Sequence, residues 1–383
     1  MREASDVGVE EGGFRLGFRP SIEGIRGVAI GLVFAYHLVI FLLPERHGWI
    51  PGGNTGVDVF FTLSGFLITS ILLGEQRRDG RISVPAFYQR RALRLLPAIV
   101  VLLLVTTFYA MATEPAVAGG VQVGVSDGEH LRAVGGIATY LANWFPGGTD
   151  LPAYFGHMWS LAIEEQFYLV WPGLLVGLIA VARRRSVRPA GLAGLVALAT
   201  VAGTAWRAAL FDRHDGLWSD VYFRTDARLD QLLLGVLLAI AVHHGLVQVR
   251  SREWLAAGGL VAILVVALNQ EVSGAGYFRW GATLTSCGTA ALILATLEGG
   301  GLVGDVLRSP PVRWAGKISY SLYLWHVPVI VLVLRYLESA GGVTRVAVAA
   351  VLSIAAAAGS YYLVEAPALR KKDQLEAHRH ARA

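Results

Sequence analysis

Two ionisable residues, Arg26 and His37, mark the first stretch of the chain in which chemistry is expected. Between Gly27 and Leu43 the only ionisable side chain apart from Tyr36 is His37, and the run is apolar enough for a membrane-spanning helix. An offset of eleven residues puts both side chains on one helix face, about 16 Å apart. The arginine then lies where the helix enters the membrane, and an imidazole deep in an apolar layer indicates a functional site.

Acidic side chains from two later apolar stretches are expected at the depth of His37. The second stretch carries Asp58 about one turn below its outer end, and the fourth carries Glu164 and Glu165 about two turns below its outer end. A carboxylate bonded to one imidazole nitrogen fixes the tautomer and raises the basicity of the other nitrogen. We therefore predict that His37 is a general base oriented by Asp58 and one glutamate, although the same groups could form a purely structural network. The two glutamates diverge by about 100° around a helix, so only one can face His37, and both choices stay open.

Basic residues mark the opposite side of the predicted membrane. Arg91 and Arg94 are three residues apart at the start of the third apolar stretch, so they share a face. Two guanidinium groups at a membrane edge suit phosphate oxygens, and anchoring to lipid headgroups explains the same pattern equally well. In the ninth stretch, Tyr323 and His326 belong to one stripe with Lys317 at its mouth, which could line a cavity.

The segment that leads into the sixth apolar stretch carries Asp226, Arg228 and Asp230. The carboxylates are four residues apart, so the cluster could bind a polar acceptor at the outer mouth. Carboxylates at a helix start also complement the helix dipole, which explains them equally well as structural groups. Trp159, near the outer end of the fourth stretch, is a further candidate for contact with an acceptor.

The composition indicates a membrane protein. Of 383 residues, 54% are hydrophobic and only 16% are charged, whereas soluble domains carry about 25% charged residues. The net charge of +5 is interpreted by its location along the chain and does not indicate a nucleic-acid partner. The single cysteine, Cys287, cannot form an internal disulfide or a cysteine metal site, and no metal is expected.

The hydropathy pattern predicts an all-α polytopic membrane helix bundle, a single domain over residues 1–383. Segments 1–24 and 365–383 are expected in the cytoplasm, because most of the 33 Lys and Arg residues then lie on the inner side. The long outer connection 114–157 is predicted to cover the bundle. The ten predicted spans are about 25–43, 55–74, 93–113, 158–182, 189–210, 229–244, 254–270, 280–297, 319–337 and 343–364.

Taken together, these motifs resemble the integral-membrane acyltransferase-3 family, which includes O-antigen acetyltransferases, other envelope polysaccharide O-acyltransferases and macrolide acyltransferases. Singly the matches are weak, but their order along nearly the whole chain is specific. The matching motifs are R/K-x10-H at Arg26 and His37, the second-span motif from Gly56, R-x-x-R at Arg91 and Arg94, the fourth-span motif from Trp159, the ninth-span motif from Ser319 to His326, and the closing V-E-x-P from Val364.

The resemblance implies an enzyme of the bacterial inner membrane, surrounded by lipid, that transfers an acyl group from cytoplasmic acyl-CoA to an acceptor hydroxyl. Acetyl is the expected group, and an envelope glycan, a lipid-linked sugar or a secreted glycosylated product could be the acceptor. The donor phosphates are expected on the basic residues, and the pantetheine arm beside Tyr323 and His326. Some family members carry an extracytoplasmic SGNH-type esterase domain, and this sequence is expected to lack one. The basic residues expected to hold the donor are Arg26, Arg91, Arg94 and Lys317.

Two alternatives remain open. Within the acyltransferase mechanism, His37 or another group could carry the acyl covalently before transfer. In a different class, buried His, Asp and Glu side chains also suit a proton-coupled transporter. The paired arginines at the cytoplasmic edge favour the enzyme, because a carrier has no obvious use for them.

Overall fold

The computed structural model describes residues 17, 19–144, 151–248, 252–297 and 299–371. This part of the chain is a bundle of α-helices with one two-stranded antiparallel hairpin. Most of the predicted cytoplasmic segment 1–24, and the end of the segment 365–383, lie outside the described residues. The elements are α1 (Pro20–Leu42), α2 (Thr55–Asp79), α3 (Val84–Met111), β1 (Ala116–Ala118), β2 (Val121–Gly124), α4 (Asp127–Ala138), α5 (Met158–Arg184), α6 (Pro189–Arg213), α7 (Ser219–Tyr222), α8 (Leu229–His243), α9 (Arg252–Asn269), α10 (Ala282–Thr296), α11 (Gly301–Arg308), α12 (Pro310–Lys317), α13 (Ser319–Tyr336) and α14 (Gly342–Ser360).

The prediction of an all-α membrane bundle is confirmed. Among the described residues, seven helices are long and apolar enough to cross a membrane, or up to nine if each of two bent pairs forms one span. Every one of the ten predicted spans corresponds to a helix, and the sixth is α8, which is apolar but has only 15 residues. The number ten and the cytoplasmic placement of both ends stay predictions.

Helix α1 lies between α2 and α12, and glycines allow the close approach on both sides. A Cβ atom on Gly56 of α2 would lie 2.3 Å from the carbonyl oxygen of Ala29, and one on Gly316 of α12 would lie 1.8 Å from that of Glu23. Side chains at these positions would push the helices apart. The tight contacts therefore fix α1, which carries Arg26 and His37, against its neighbours.

The connection between α3 and α5 packs over the end of α13. Arg335 donates a hydrogen bond to the carbonyl oxygen of Glu114 (2.8 Å), and the backbone N–H of Gly119 donates to Glu338 (3.1 Å). Helix α4 begins with a capping box, in which Ser126 and Glu129 bond each other's backbone N–H groups. The hydrogen bonds from Ser126 also lower the pKa of Glu129.

Candidate functional site

Two cavities lie at the two ends of the Arg26–His37 face of α1, and we call them the outer and inner cavities after the predicted membrane topology. The outer cavity has a volume of about 400 Å³ and contains His37, His157, Asn54 and Trp159 in its wall. Gln122 of β2 and Leu151 also line it, so the connection 114–157, the predicted outer cover, contributes to this cavity.

The inner cavity has a volume of about 180 Å³, and it collects the basic residues. Arg26 reaches it from α1, and Arg91 and Arg94 reach it from α3. Ser64 of α2 and Glu164 of α5 complete its polar wall. Arg91 and Arg94 therefore share a face of α3 and line the same cavity as Arg26.

Val57 and Tyr323 line both cavities, so these two side chains stand between them. Val57 follows Gly56 in α2, and Tyr323 lies in α13. The phenol of Tyr323 donates a hydrogen bond to the backbone carbonyl of His157 (2.6 Å) and lies 2.5 Å from the hydroxyl of Ser160.

The contacts of His37 with the described residues determine which of its ring nitrogens carries the proton. Its Nδ1 lies 2.8 Å from the carbonyl oxygen of Val33 and 3.3 Å from Nε2 of His326. Nδ1 of His326 lies 2.9 Å from the carbonyl oxygen of Leu322. Because a carbonyl oxygen only accepts, Nδ1 carries the proton in both rings. The Nε2 of His37 is then an unprotonated acceptor, as a general base needs.

A third histidine, His157, belongs to the same cluster and was not selected from the sequence. Its ring centroid lies 5.1 Å from that of His326 and 5.2 Å from that of Tyr323, and the His37 and His326 centroids are 5.0 Å apart. His157 stands directly before α5, just ahead of the fourth-span motif that begins at Trp159. Its position at the outer end of the fourth predicted span was the signal available in the sequence.

Asp58 does not contact His37. The hydroxyl of Tyr277 donates to its two carboxylate oxygens, each at 2.9 Å, and Nη1 of Arg228 lies 3.4 Å away. All three side chains are buried. The expectation that Asp58 orients His37 is therefore corrected, because its carboxylate is committed to a buried pair on another side of α2.

The two glutamates of α5 point into different surroundings, as the 100° divergence requires. Glu164 accepts hydrogen bonds from Ser64 (2.9 Å) and Tyr168 (3.2 Å) in the wall of the inner cavity. Glu165 lies 3.6 Å from Arg91. Neither bonds to His37 in the described structure, so the prediction that one of them orients the histidine is also corrected. The Val33 carbonyl and His326 hold the ring instead.

The three arginines of the inner cavity differ in how many contacts they already make with other side chains. Arg26 donates two hydrogen bonds to Ser319 (2.9 and 3.2 Å), and Arg91 packs 3.8 Å over the ring of Tyr168. Arg94 is exposed in the cavity wall and forms no hydrogen bond or ion pair with any described residue. It is therefore the guanidinium group most available to a phosphate.

Two residues predicted to bind the donor lie elsewhere. The ammonium of Lys317 is 5.3 Å from the ring of Tyr361, and Lys317 is not part of the inner cavity wall. His326 is fully buried and packs on His37, so it supports the histidine cluster and does not line either cavity. Of these three residues of the predicted stripe, only Tyr323 lines the cavities, and its role with the donor stays a prediction.

Of the four predicted acceptor residues, only Trp159 lines the outer cavity. Arg228 is fully buried beneath it, and Asp230 forms a buried pair with Arg207. Asp226 is paired with Arg224 at 2.8 Å. Burial raises the pKa of Asp226, but hydrogen bonds from Arg224 and Trp206 outweigh this and lower it overall. The expectation for these three charged residues is corrected, because each is occupied by a partner outside the cavity.

Aromatic side chains make up much of the outer cavity instead. Asn54 donates to the hydroxyl of Tyr222 at 2.8 Å, and its buried Oδ1 has no hydrogen-bond partner among the described residues. An apolar wall with a few convergent polar atoms is typical of a ligand site. The aromatic residues of the wall are Tyr36, Phe41, Trp159, Trp218, Tyr222 and Phe223.

The described part of the chain contains no group of three or more His, Cys, Asp or Glu side chains placed to hold a metal ion.

Comparison with known proteins agrees with the sequence motifs. The profile of the acyltransferase-3 family, described as an acyltransferase domain, matches residues 19–365. The protein named "Putative peptidoglycan O-acetyltransferase YrhL" of Bacillus subtilis is 32% identical over 91% of this chain and 54% of its own length. Peptidoglycan O-acetyltransferase OatA of Listeria monocytogenes is 32% identical over 83% of this chain and 50% of its own length. The chain thus spans about half the length of these relatives. No solved structure gives a significant match.

Proposed function

Since this chain belongs to the integral-membrane acyltransferase-3 family, we propose that it is a multi-pass enzyme of the bacterial cytoplasmic membrane that O-acetylates a glycan. The names of the relatives point to peptidoglycan or a fragment of it as the acceptor. The observation that carries the proposal is the pair of cavities, because one presents guanidinium groups and the other presents a histidine with a free Nε2.

The donor that fits the inner cavity is acyl-CoA, with acetyl-CoA as the expected form. Its phosphates suit Arg94 and the neighbouring Arg91 and Arg26, since guanidinium groups bind phosphate oxygens with charge-assisted hydrogen bonds. Glu164 limits the positive charge of this wall, and Glu165 holds Arg91 in place from outside it. The thioester end then points from the inner cavity toward Val57 and Tyr323.

The acceptor fits the outer cavity. A sugar ring presents an apolar face, which aromatic side chains such as Trp159 and Tyr222 can cover, and hydroxyls, which Asn54 can bind through its unpartnered Oδ1. One hydroxyl then lies toward Nε2 of His37.

The chemistry is an acyl transfer in which His37 moves one proton. Its Nε2 takes the proton of the acceptor hydroxyl while the oxygen attacks the thioester carbonyl. The carbon–sulfur bond breaks, and the protonated His37 returns the proton to the departing thiolate, which gives an ester and free CoA. General-base action of this kind contributes roughly 10²–10⁴-fold to the rate.

The test uses the full chain, purified and reconstituted in liposomes with acetyl-CoA at one face and solubilised peptidoglycan fragments at the other. We expect release of free thiol together with O-acetylated fragments, detected by mass spectrometry. A proton-coupled carrier would release no thiol, and that result with correctly folded protein would overturn the proposal.

A further inference from the structure

Any acyl group that moves from the donor to the acceptor has to cross the boundary between the two cavities. Val57 and Tyr323 are the residues that the two linings share. His37 lines only the outer cavity, and Arg94 lines only the inner one. The reacting end of the donor must therefore pass Val57 and Tyr323 to reach an acceptor hydroxyl held near His37.

The Tyr323 side of this boundary is rigid. Its single O–H donates to the backbone carbonyl of His157, so the hydroxyl of Ser160 must donate to the phenol oxygen, at 2.5 Å. Ser160 lines the inner cavity and His157 lines the outer one. The two hydrogen bonds thus hold the ring at the junction, and rotation of Tyr323 out of the way would break both.

The Val57 side is rigid for a different reason. Val57 is buried, and its β-branched side chain has few rotamers in a helix. The preceding residue, Gly56, already lies against the backbone of α1, where even a Cβ atom would be 2.3 Å from the Ala29 oxygen. Helix α2 has no room to move toward α1 at this point, so Val57 is held in place at the boundary between the cavities.

From this geometry we propose that the Val57–Tyr323 constriction sets the length of the acyl group that the enzyme transfers. An acetyl group passes it, and a longer chain meets the valine methyl groups or the tyrosine ring. This inference rests on the proposed acyl transfer and adds a specificity determinant to it. A difference of one methylene in a closed pocket is worth roughly 10-fold or more in kcat/KM.

The experiment compares acetyl-CoA with butyryl-CoA in the liposome assay and measures the ratio of their kcat/KM values. For Val57→Ala we expect the butyryl-to-acetyl ratio to rise roughly tenfold or more over the wild type. Val57→Ile, which adds one methylene, should lower that ratio and the acetyl rate while CoA affinity is unchanged. Tyr323→Phe loses both hydrogen bonds but keeps the ring, so it should raise the ratio less than Val57→Ala.

Val59→Ala is the matched control. It is the same substitution two residues along α2 at a buried position that lines neither cavity, and its ratio should equal that of the wild type. A Val57→Ala ratio equal to that of the control, in protein that still transfers acetyl, would overturn the constriction and leave the acyltransferase proposal intact. A wild type that accepts butyryl-CoA as well as acetyl-CoA would also overturn it. A folded wild type that releases no thiol would instead overturn the proposed function.

Discussion

Replacement of His37 by glutamine gives the sharpest test of the proposed base. In the wild type, Nδ1 of His37 lies 2.8 Å from the Val33 carbonyl oxygen. Glutamine has a polar side chain of similar length that can still donate a hydrogen bond to this carbonyl. It has no nitrogen able to take up a proton at neutral pH. The substitution therefore removes the proton transfer while it preserves the local hydrogen bond.

The expected loss follows from the geometry around the ring. Nδ1 is engaged by Val33 and His326, so Nε2 of His37 is the nitrogen free to act as the base in the outer cavity. Loss of a general base costs roughly 10²–10⁴-fold in rate. That corresponds to about 3–5 kcal/mol in the activation free energy. We expect kcat to fall by this factor, with little change in KM for acetyl-CoA, because the basic inner cavity is untouched.

The measurement is initial-rate thiol release with acetyl-CoA and acceptor, together with thermal unfolding of each purified variant. His47→Gln is the matched control. His47 also places Nδ1 near a backbone carbonyl, that of Pro44 at 3.0 Å, but it is exposed and lines neither cavity. A folded His37→Gln protein that keeps more than a few per cent of wild-type kcat would refute the base assignment.

Two further substitutions test the roles of Asp58 and Arg94. Asp58→Asn leaves Arg228 buried without a counter-charge, so it should lower the free energy of unfolding by about 3–5 kcal/mol. The control is Asp226→Asn, which breaks a partly exposed ion pair and should lower the free energy of unfolding by about 1 kcal/mol or less. Thermal unfolding in detergent measures both, and equal stabilities would contradict the structural role of Asp58. Arg94→Ala should raise KM for acetyl-CoA roughly tenfold with kcat nearly unchanged. The exposed Arg81→Ala is its control, and an unchanged KM and CoA affinity for Arg94→Ala would exclude a phosphate contact.

The helices and the position of the histidine were predictable because they depend on local properties of the sequence. Apolar length predicts helices that can cross a membrane, and the 3.6-residue period puts Arg26 and His37 on one face. The structure has these two side chains in neighbouring cavities at the two ends of that face. The i, i+3 spacing likewise brings Arg91 and Arg94 to one cavity.

The partners of His37 were not predictable in the same way. Depth along a helix gives the layer in which a side chain lies, but it does not give the direction around the helix axis. Asp58 has a suitable depth, yet it faces Arg228 and Tyr277. His326 is 289 residues away from His37 along the chain, and only the packing of α13 against α1 shows that the two side chains meet.

The outer cavity was mostly missed because its wall comes from connections. Trp218, Tyr222 and Phe223 lie in or beside the short helix α7, where no periodic pattern indicates which side chains face inward. The charged residues that follow, such as Asp226, were predicted to bind the acceptor because of their charge. Asp226 is paired with Arg224, and Arg228 and Asp230 belong to buried pairs, whereas the aromatic residues form the wall.

The surroundings of His37 favour direct transfer over a covalent acyl-histidine. Acylation at Nε2 would leave a cation unless Nδ1 lost its proton. The two acceptors beside Nδ1 are the Val33 carbonyl, which cannot keep a proton, and Nε2 of His326, which would itself become a buried cation. No carboxylate bonds to this ring among the described residues, and a buried cation without a counter-charge is costly. An acylated His37 would therefore be unstable, whereas a proton taken from the acceptor can leave at once with the thiolate. Failure to trap a labelled acyl-protein when acetyl-CoA is added without acceptor is the expected result, and a stable label on His37 would contradict this reasoning.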